Sequence, residues 1–118
     1  MAGHRLSRLA QADMAGILAA SAERWGIEAR RRYAAVLAAG IRKVAAEPHG
    51  STSRERSELA QGIRSLHLRN VGTDIEAKVR RPVHVLYYRV VRPDLVEIVR
   101  ILHERMEPSR HMDLEPEE

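Results

Sequence analysis

The first third of the chain repeats apolar residues at helical spacing. After Ser7, a suitable N-cap, apolar side chains recur at intervals of three, four and seven residues, and the series ends before Gly26. This spacing predicts an amphipathic helix, with Gly26 as its C-terminal stop. The stripe consists of Ala10, Met14, Ile17, Leu18 and Trp25.

A second helical stripe follows almost at once and ends before Pro48. Glu28 lies in its first turn, where a negative charge is favourable. Because the connection at Gly26 is so short, the two helices are predicted to pack against each other as an antiparallel hairpin. The second stripe consists of Ala29, Tyr33, Val36, Leu37, Gly40, Ile41 and Val44.

The second half of the chain shows strand patterns instead. Residues 63–69 alternate between apolar and polar side chains, which is the periodicity of a half-buried strand. Residues 83–91 and 95–102 are short runs rich in β-branched side chains. Pro93 and Asp94 between them suit a tight turn, so these two runs are predicted to form a β-hairpin.

Together these elements predict an α+β fold, in which an N-terminal helical hairpin packs on a three- to four-stranded antiparallel sheet. The fourth strand would come from residues 4–6. Residues 47–62 are predicted as a loop with one helical turn around 57–60. Residues 1–112 are predicted to form a single domain, and residues 113–118 an acidic, disordered tail.

The last two predicted strands have apolar residues on both faces. Helices can cover only one of these faces, so the other is expected to stay partly open for another polypeptide. The charge balance fits an anionic partner: twenty basic residues outnumber sixteen acidic ones, and four of the acids lie in the last six residues. Without that tail, twenty against twelve gives +8. Eighteen of the cations are Arg, which suits contacts with carboxylates or phosphates, although codon usage in a GC-rich genome would also explain it.

Composition excludes several kinds of chemistry. The chain has no Cys, which removes disulfides, thiolate catalysis and Cys-ligated zinc and fits a reducing compartment. It has neither the apolar core of a signal peptide nor a run of about 18 apolar residues. No pair of His side chains has the spacing of a helical metal site, and the common nucleotide and hydrolase motifs are missing. A cytoplasmic protein without metal or cofactor is expected.

Metal-independent cleavage of RNA is the catalytic option that the residues leave open. It needs a base, an acid and a cation that steadies the charged phosphorane. Arg69, Arg89, Arg100, His103 and His111 are the candidates, and all lie on predicted strands or just beyond them. The alternative is structural, since Arg89 and Arg100 could pair with Glu97 or Glu76. The cations are too dispersed to predict a DNA-recognition element, so direct sequence-specific DNA binding is not expected.

Six segments, in order along the chain, carry a resemblance to a known family. They read L-S-x-x-A-x-x-D-M-x-x-I from Leu6, W-G-x-x-A-x-x-x-Y from Trp25, E-P-H-G at 47–50, G-I-R-S-L-H-L-R at 62–69, H-V-L-Y-Y-R at 84–89 and V-E-I-V-R-I-L-H-E-R-M at 96–106. Over about residues 5–112 this series resembles the ParE branch of the RelE/ParE toxin superfamily.

The resemblance implies a small toxin of a type II toxin–antitoxin system, which inhibits DNA gyrase until a ParD-like antitoxin binds it in a hetero-oligomeric complex. It also implies two helices on an antiparallel sheet. The antitoxin or target is expected to contact Tyr88, Arg89, Arg100, His103 and Arg110. Such a toxin acts by binding, so no catalytic residues are expected.

The alternative within the superfamily is a RelE-like, ribosome-dependent mRNA endonuclease. Those nucleases carry a basic cluster with a C-terminal Tyr or a His-Tyr pair, whereas this chain reads Arg110-His111-Met112. The missing aromatic side chain favours the gyrase-directed branch, while His103 and His111 keep the nuclease hypothesis open.

Overall fold

The computed structural model describes residues 3–71, 79 and 81–112. The predicted acidic tail, 113–118, lies outside the described residues, as do residues 72–78 of the polar segment before the β-hairpin. Within the described residues, two helices pack on one face of a sheet, as the hydrophobic pattern predicts.

The helical hairpin consists of α1 (Arg8–Trp25) and α2 (Ile27–Ala46). Ser7 caps α1, since its hydroxyl accepts a hydrogen bond from the Ala10 amide at 3.0 Å. Gly26 joins the helices with φ at 93°, a conformation that side chains with a Cβ rarely adopt. The single residue at this turn holds the two helices antiparallel.

The sheet has five strands: β1 (Gly3–Leu6), β2 (Arg54–Glu55), β3 (Arg64–His67), β4 (His84–Arg92) and β5 (Leu95–His103). Their order across the sheet is β1-β5-β4-β3-β2. In the long β4–β5 hairpin, Arg92 pairs directly with Leu95. The turn therefore lies at Pro93 and Asp94, as predicted. Short turns of 3-10 helix follow β3 at Leu68–Asn70 and β5 at Pro108–His111.

Two details of the predicted sheet were wrong. The sheet is mixed rather than antiparallel, because β1 pairs in parallel with β5, with Gly3 opposite Leu95. The segment predicted as a loop contains β2, which is too short for its alternation to be visible in the sequence.

The predicted helical turn around 57–60 is also different. It is a pair of hydrogen-bonded turns, in which the Leu59 amide donates to the Arg56 carbonyl and the Ile63 amide donates to the Ala60 carbonyl.

The main core lies between the helices and the sheet. Val36, Leu37 and Val44 of α2 are at most 2% exposed and pack against the side chains of β3, β4 and β5. Gly40 lies where α2 comes closest to the sheet, and a Cβ added there would be 2.7 Å from a Leu68 methyl carbon. The helical layer can sit this close only because position 40 has no side chain.

The second face of the sheet is not bare, which corrects the sequence-based expectation. Its apolar residues, Ile63, Tyr87, Val99 and Leu102, are at most 5% exposed. They are covered by Leu59, Ala60, Val85 and Met112, three of which come from the segments that flank β3 and β5. The pattern could not show this because the covering residues are distant in sequence and lie outside the strands. The open groove on this face is lined mainly by polar and charged side chains.

Replacing Gly40 and Gly16 by Ala should have opposite effects on stability. Both glycines lie inside helices, where Ala is intrinsically favoured by up to about 1 kcal/mol. At Gly40 the new methyl group must displace the buried side chains of Leu68 and Leu86, so Gly40→Ala should lower the free energy of unfolding by about 1–2 kcal/mol. At Gly16 nothing lies within 4 Å of the new carbon, so Gly16→Ala should raise it by about 0.5–1 kcal/mol.

Urea unfolding followed by circular dichroism measures both changes. Equal stabilisation by the two substitutions would show that α2 does not approach the sheet as closely as described.

Candidate functional site

Arg100 is held by a carboxylate of α1. Its Nε and Nη2 donate to the two carboxylate oxygens of Asp13, each at 2.8 Å, and Nη1 donates to the His111 carbonyl at 3.0 Å. The same carboxylate accepts the Ile101 amide at 2.9 Å. The pKa of Arg100 lies above its ordinary value, chiefly because of the hydrogen bonds to Asp13. Of the two predicted partners, Glu97 was therefore wrong for Arg100, and Glu76 lies outside the described residues.

Arg89 does pair with Glu97, as the structural alternative predicted. The two residues lie opposite each other on β4 and β5, and Arg89 donates to Oε1 of Glu97 from Nε at 3.0 Å and from Nη2 at 2.8 Å. Arg5 of β1 donates to the other carboxylate oxygen at 3.0 Å. Glu97 is only 9% exposed, so two arginines from neighbouring strands neutralise a largely buried carboxylate.

The two adjacent tyrosines face opposite sides of the sheet, as strand alternation requires. Tyr88 is fully buried in the main core, and its hydroxyl donates to the Pro48 carbonyl at 2.6 Å. It therefore has no exposed surface in this structure for an antitoxin or a target. Tyr87 lies in the second apolar cluster, with the guanidinium of Arg56 5.6 Å above its ring.

His103 belongs to a cluster of polar rings at one end of the β4–β5 hairpin. It lies opposite His84, with ring centres 5.5 Å apart, and its Nδ1 accepts the Arg105 amide at 3.1 Å. On the other side of His84, the Tyr33 hydroxyl is 2.6 Å from its Nδ1. That hydroxyl also accepts the Val83 amide at 3.2 Å, and when His84 is neutral with its proton on Nε2, the hydroxyl donates its own proton to Nδ1.

The environment of His84 favours this neutral form. Burial is the largest cause and lowers the pKa of His84 to about 4, and the neighbouring charges of His103 and His67 act in the same direction. Burial also raises the pKa of the Tyr33 hydroxyl, which keeps it protonated as a donor. The negative charges of Glu104 and Asp13 partly oppose the shift, and that of Glu104 has the larger effect.

The five nuclease candidates do not converge on one point. His84 and Arg89 lie five residues apart on β4, which at about 3.3 Å per residue separates them by about 17 Å. Their partners on β5 are His103 and Glu97, so Arg89 and His103 are also well separated along the hairpin. Of the others, Arg69 follows β3 and is exposed, while His111 contributes its backbone carbonyl to Arg100. Arg110, an interface candidate, is exposed on the last 3-10 turn.

A groove on the second face of the sheet gathers a different set of basic residues. It has a volume of about 670 Å³ and lies between the segment around Ser51 and Thr52 and the one around Met106 and Pro108. We call it the arginine groove. Its charged and titratable lining residues are Arg54, Arg56, His67, Arg69, Glu104 and Arg105.

Sequence reasoning identified only Arg69 of this set. A signal was present, since Arg54 and Arg56, like His67 and Arg69, are two residues apart, and alternate residues of an extended segment share a face. Within the groove, His67 Nδ1 accepts the Arg69 amide at 3.1 Å, so the proton lies on Nε2, which is 2.7 Å from a Glu104 carboxylate oxygen. That hydrogen bond lowers the pKa of Glu104.

The part of the chain that the structure describes has neither a cluster of metal ligands nor a membrane-spanning helix. No three His, Asp or Glu side chains there are grouped so that they could hold a metal ion. In the same residues, no helix combines the length and the apolar character that a membrane crossing requires.

Comparison with known proteins places this arrangement in a family. Residues 5–108 match the family described as the ParE toxin of the type II toxin–antitoxin system, parDE. The chain therefore belongs to the ParE toxin family. This is the branch that the six sequence segments resemble.

Individual relatives agree with this assignment. The chain is 34% identical to Toxin ParE1 of Caulobacter vibrioides over 113 residues, which is 95% of this chain and 99% of that protein. It is 31% identical to Toxin ParE1 of Mycobacterium tuberculosis over 107 residues, 91% of this chain and 94% of the relative. A chain in the structure of the chromosomal ParDE TA system from P. aeruginosa has the same fold, with a TM-score of 0.62 at 18% identity over 87% of this chain and 96% of that one.

The neutral state of His84 should make folding depend on pH. Because its pKa falls from 6.5 to about 4 on folding, the unfolded chain binds the proton more readily between these values. The contribution of neutral His84 to the free energy of unfolding is fully present above about pH 6.5 and is lost as the pH falls through 4. His84→Asn, which cannot titrate, should therefore reduce the slope of unfolding free energy against pH in this window by up to about one proton.

Urea unfolding at a series of pH values measures the slope, and an NMR titration of the ring protons reports His84 directly in the unmodified chain. An unchanged slope in the variant, or a His84 titration above pH 6, would contradict the assignment.

Proposed function

We propose that this chain is the toxin of a two-protein system, that it inhibits DNA gyrase by binding it on cleaved DNA, and that a ParD-like antitoxin neutralises it. Membership of the ParE toxin family supports the role of this chain as the toxin and the presence of an antitoxin partner. The resemblance to the ParE branch supports the gyrase target, and a toxin with that target would work in the cytoplasm, where gyrase is. Growth arrest would then result from blocked replication.

The observation that carries this proposal is the intramolecular pairing of two central cations. A nuclease built on the predicted catalytic residues would need Arg89 and Arg100 free beside the scissile phosphate. Arg100 is bound to Asp13, and Arg89 to Glu97, in each case through two nitrogen atoms. Freeing Arg100 would leave the Asp13 carboxylate without its guanidinium partner and with little solvent. Freeing Arg89 would leave the largely buried Glu97 with Arg5 as an ion-pair partner, so both changes are costly. These contacts support action by binding rather than by the mRNA cleavage of the RelE branch.

An exposed apolar pair marks a second surface, which we call the hairpin tip: Trp25, Gly26 and Ile27. Trp25 is 73% exposed and Ile27 69%, although side chains of this kind are usually buried. Tryptophan is also among the residues that contribute most to protein interfaces. The outer face of α1 beside the tip exposes small residues that would let a helix approach closely, namely Ala12, Ala15, Gly16, Ala19 and Ala20.

The antitoxin contact is therefore proposed at the hairpin tip. An amphipathic antitoxin helix could lay its apolar side on this surface. This moves the proposed contact from the β4–β5 hairpin to the helical hairpin, since Arg89 and Arg100 already have carboxylate partners. Arg110 stays exposed and is retained as a candidate at the edge of the partner surface.

A gyrase cleavage assay tests both parts of the proposal. Purified toxin added to gyrase and supercoiled plasmid should accumulate linear DNA after protein is removed, and co-purified antitoxin should abolish the effect. Trp25→Ala should poison gyrase equally well but need at least about tenfold more antitoxin for neutralisation, because a central aromatic anchor is lost. Val90→Ala is the matched control, since Val90 is also an exposed apolar residue but lies on β4, in the sheet layer, and does not line the arginine groove.

Intact plasmid together with mRNA cut in a translation reaction would reverse the choice of target. Neutralisation of Trp25→Ala at the unmodified dose would move the antitoxin contact elsewhere.

A further inference from the structure

The arginine groove holds cations that the fold itself does not use. Arg54, Arg69 and Arg105 are exposed, and none of them has a carboxylate partner among the residues that the structure describes. Arg56 has Glu58 as its partner and lies over the Tyr87 ring, and Glu104 is engaged by His67. The groove therefore has a net excess of positive charge directed at solvent.

The rest of the lining is suited to hydrogen bonding rather than to apolar contact. Ser51, Thr52 and Ser65 bring hydroxyl groups to the groove. The large apolar side chains of this face are already covered from within the molecule, as Val99 and Leu102 are each only 2% exposed. A folded protein partner binds through a desolvated core of aromatic and aliphatic anchors, and the groove offers few of them. A hydrophilic polyanion fits it better.

We propose that the arginine groove binds the sugar–phosphate backbone of a nucleic acid. Guanidinium groups and hydroxyls donate to phosphate oxygens, and Arg forms such contacts bidentately. Tyr87 is only 5% exposed, so it offers no ring face on which a base could stack. Binding of the nucleic acid is accordingly independent of its base sequence and weakens strongly as the salt concentration rises.

This site is separate from the hairpin tip and does not require gyrase to be the target. The two surfaces lie on different layers of the fold, since the tip joins the helices and the groove lies on the face of the sheet away from them. A toxin that acts on gyrase works beside cut DNA, which supplies a backbone of this kind. Binding of nucleic acid by the purified toxin can therefore be measured without gyrase.

Fluorescence anisotropy with labelled 20-nucleotide probes tests the proposal on the full chain. Three probes of unrelated sequence are used: duplex DNA, single-stranded DNA and single-stranded RNA. The groove variant combines Arg54→Gln, Arg69→Gln and Arg105→Gln. The matched control combines Arg24→Gln, Arg30→Gln and Arg42→Gln, which removes the same charge from exposed positions on the helices. Circular dichroism and the urea midpoint verify that both variants fold.

The groove variant should raise the Kd for the best-bound probe at least tenfold at low salt, while the control changes it less than threefold. The slope of log K against log salt concentration should also fall by about 2–3 in the groove variant, since three phosphate contacts are lost. The probe bound most tightly identifies whether the natural backbone is DNA or RNA.

Three results would overturn the proposal. An equal loss of probe affinity in the groove variant and in the control variant would show that only overall charge attracts the probes. Absence of binding by the unmodified chain at low salt would remove the site altogether. Unchanged probe binding in the groove variant, together with weakened antitoxin binding, would assign the groove to the antitoxin.

Discussion

The carboxylate of Asp13 connects the helical layer to the middle of the sheet. Strand β1 covers the edge of β5 only as far as Ile98, which is opposite Leu6. Beyond that point, α1 and its N-cap supply the missing partners: Ser7 donates from its amide to the Ile98 carbonyl and from its hydroxyl to that of Val99, and Asp13 accepts the Ile101 amide. Helix side chains thus satisfy an edge that would otherwise be free to pair with another strand.

Other features of the molecule depend on this contact. Asp13 fixes Arg100, Arg100 binds the His111 carbonyl, and the next residue, Met112, covers part of the second apolar cluster. A single carboxylate near the start of the chain therefore helps to position its C-terminal turn. With Arg100 engaged in this way and Arg89 in the pair with Glu97, the hairpin tip and the arginine groove are two surfaces of the described residues that stay available. Both suit binding, one through apolar contact and the other through charge.

Local patterns predicted much of this fold, because helices, the β4–β5 turn and strand alternation depend on nearby residues. The N-cap at Ser7, the stop at Gly26, the turn at Pro93 and the opposite orientations of Tyr87 and Tyr88 are all of this kind. The resemblance of the six segments identified the family as a whole, which no single element could do.

What the patterns could not show depends on contacts between distant residues. Asp13 and Arg100 are 87 positions apart, and no periodicity relates them. The parallel pairing of β1 is likewise a contact between the two ends of the chain. The covering of the second face depends on Leu59 and Met112, which lie outside any strand. The arginine groove combines cations from three separate segments, so its members look scattered along the sequence.

The central claim is that Arg100 serves the fold through Asp13, and a double-mutant cycle on Asp13→Ala and Arg100→Ala tests it most directly. Urea unfolding should show a loss of about 2–3 kcal/mol for each single variant, because each leaves a largely buried group without its partner. The double variant should be little less stable than either, giving a coupling energy of at least about 1 kcal/mol. Additive losses, or an Arg100→Ala protein of full stability that no longer acts on gyrase, would contradict the claim.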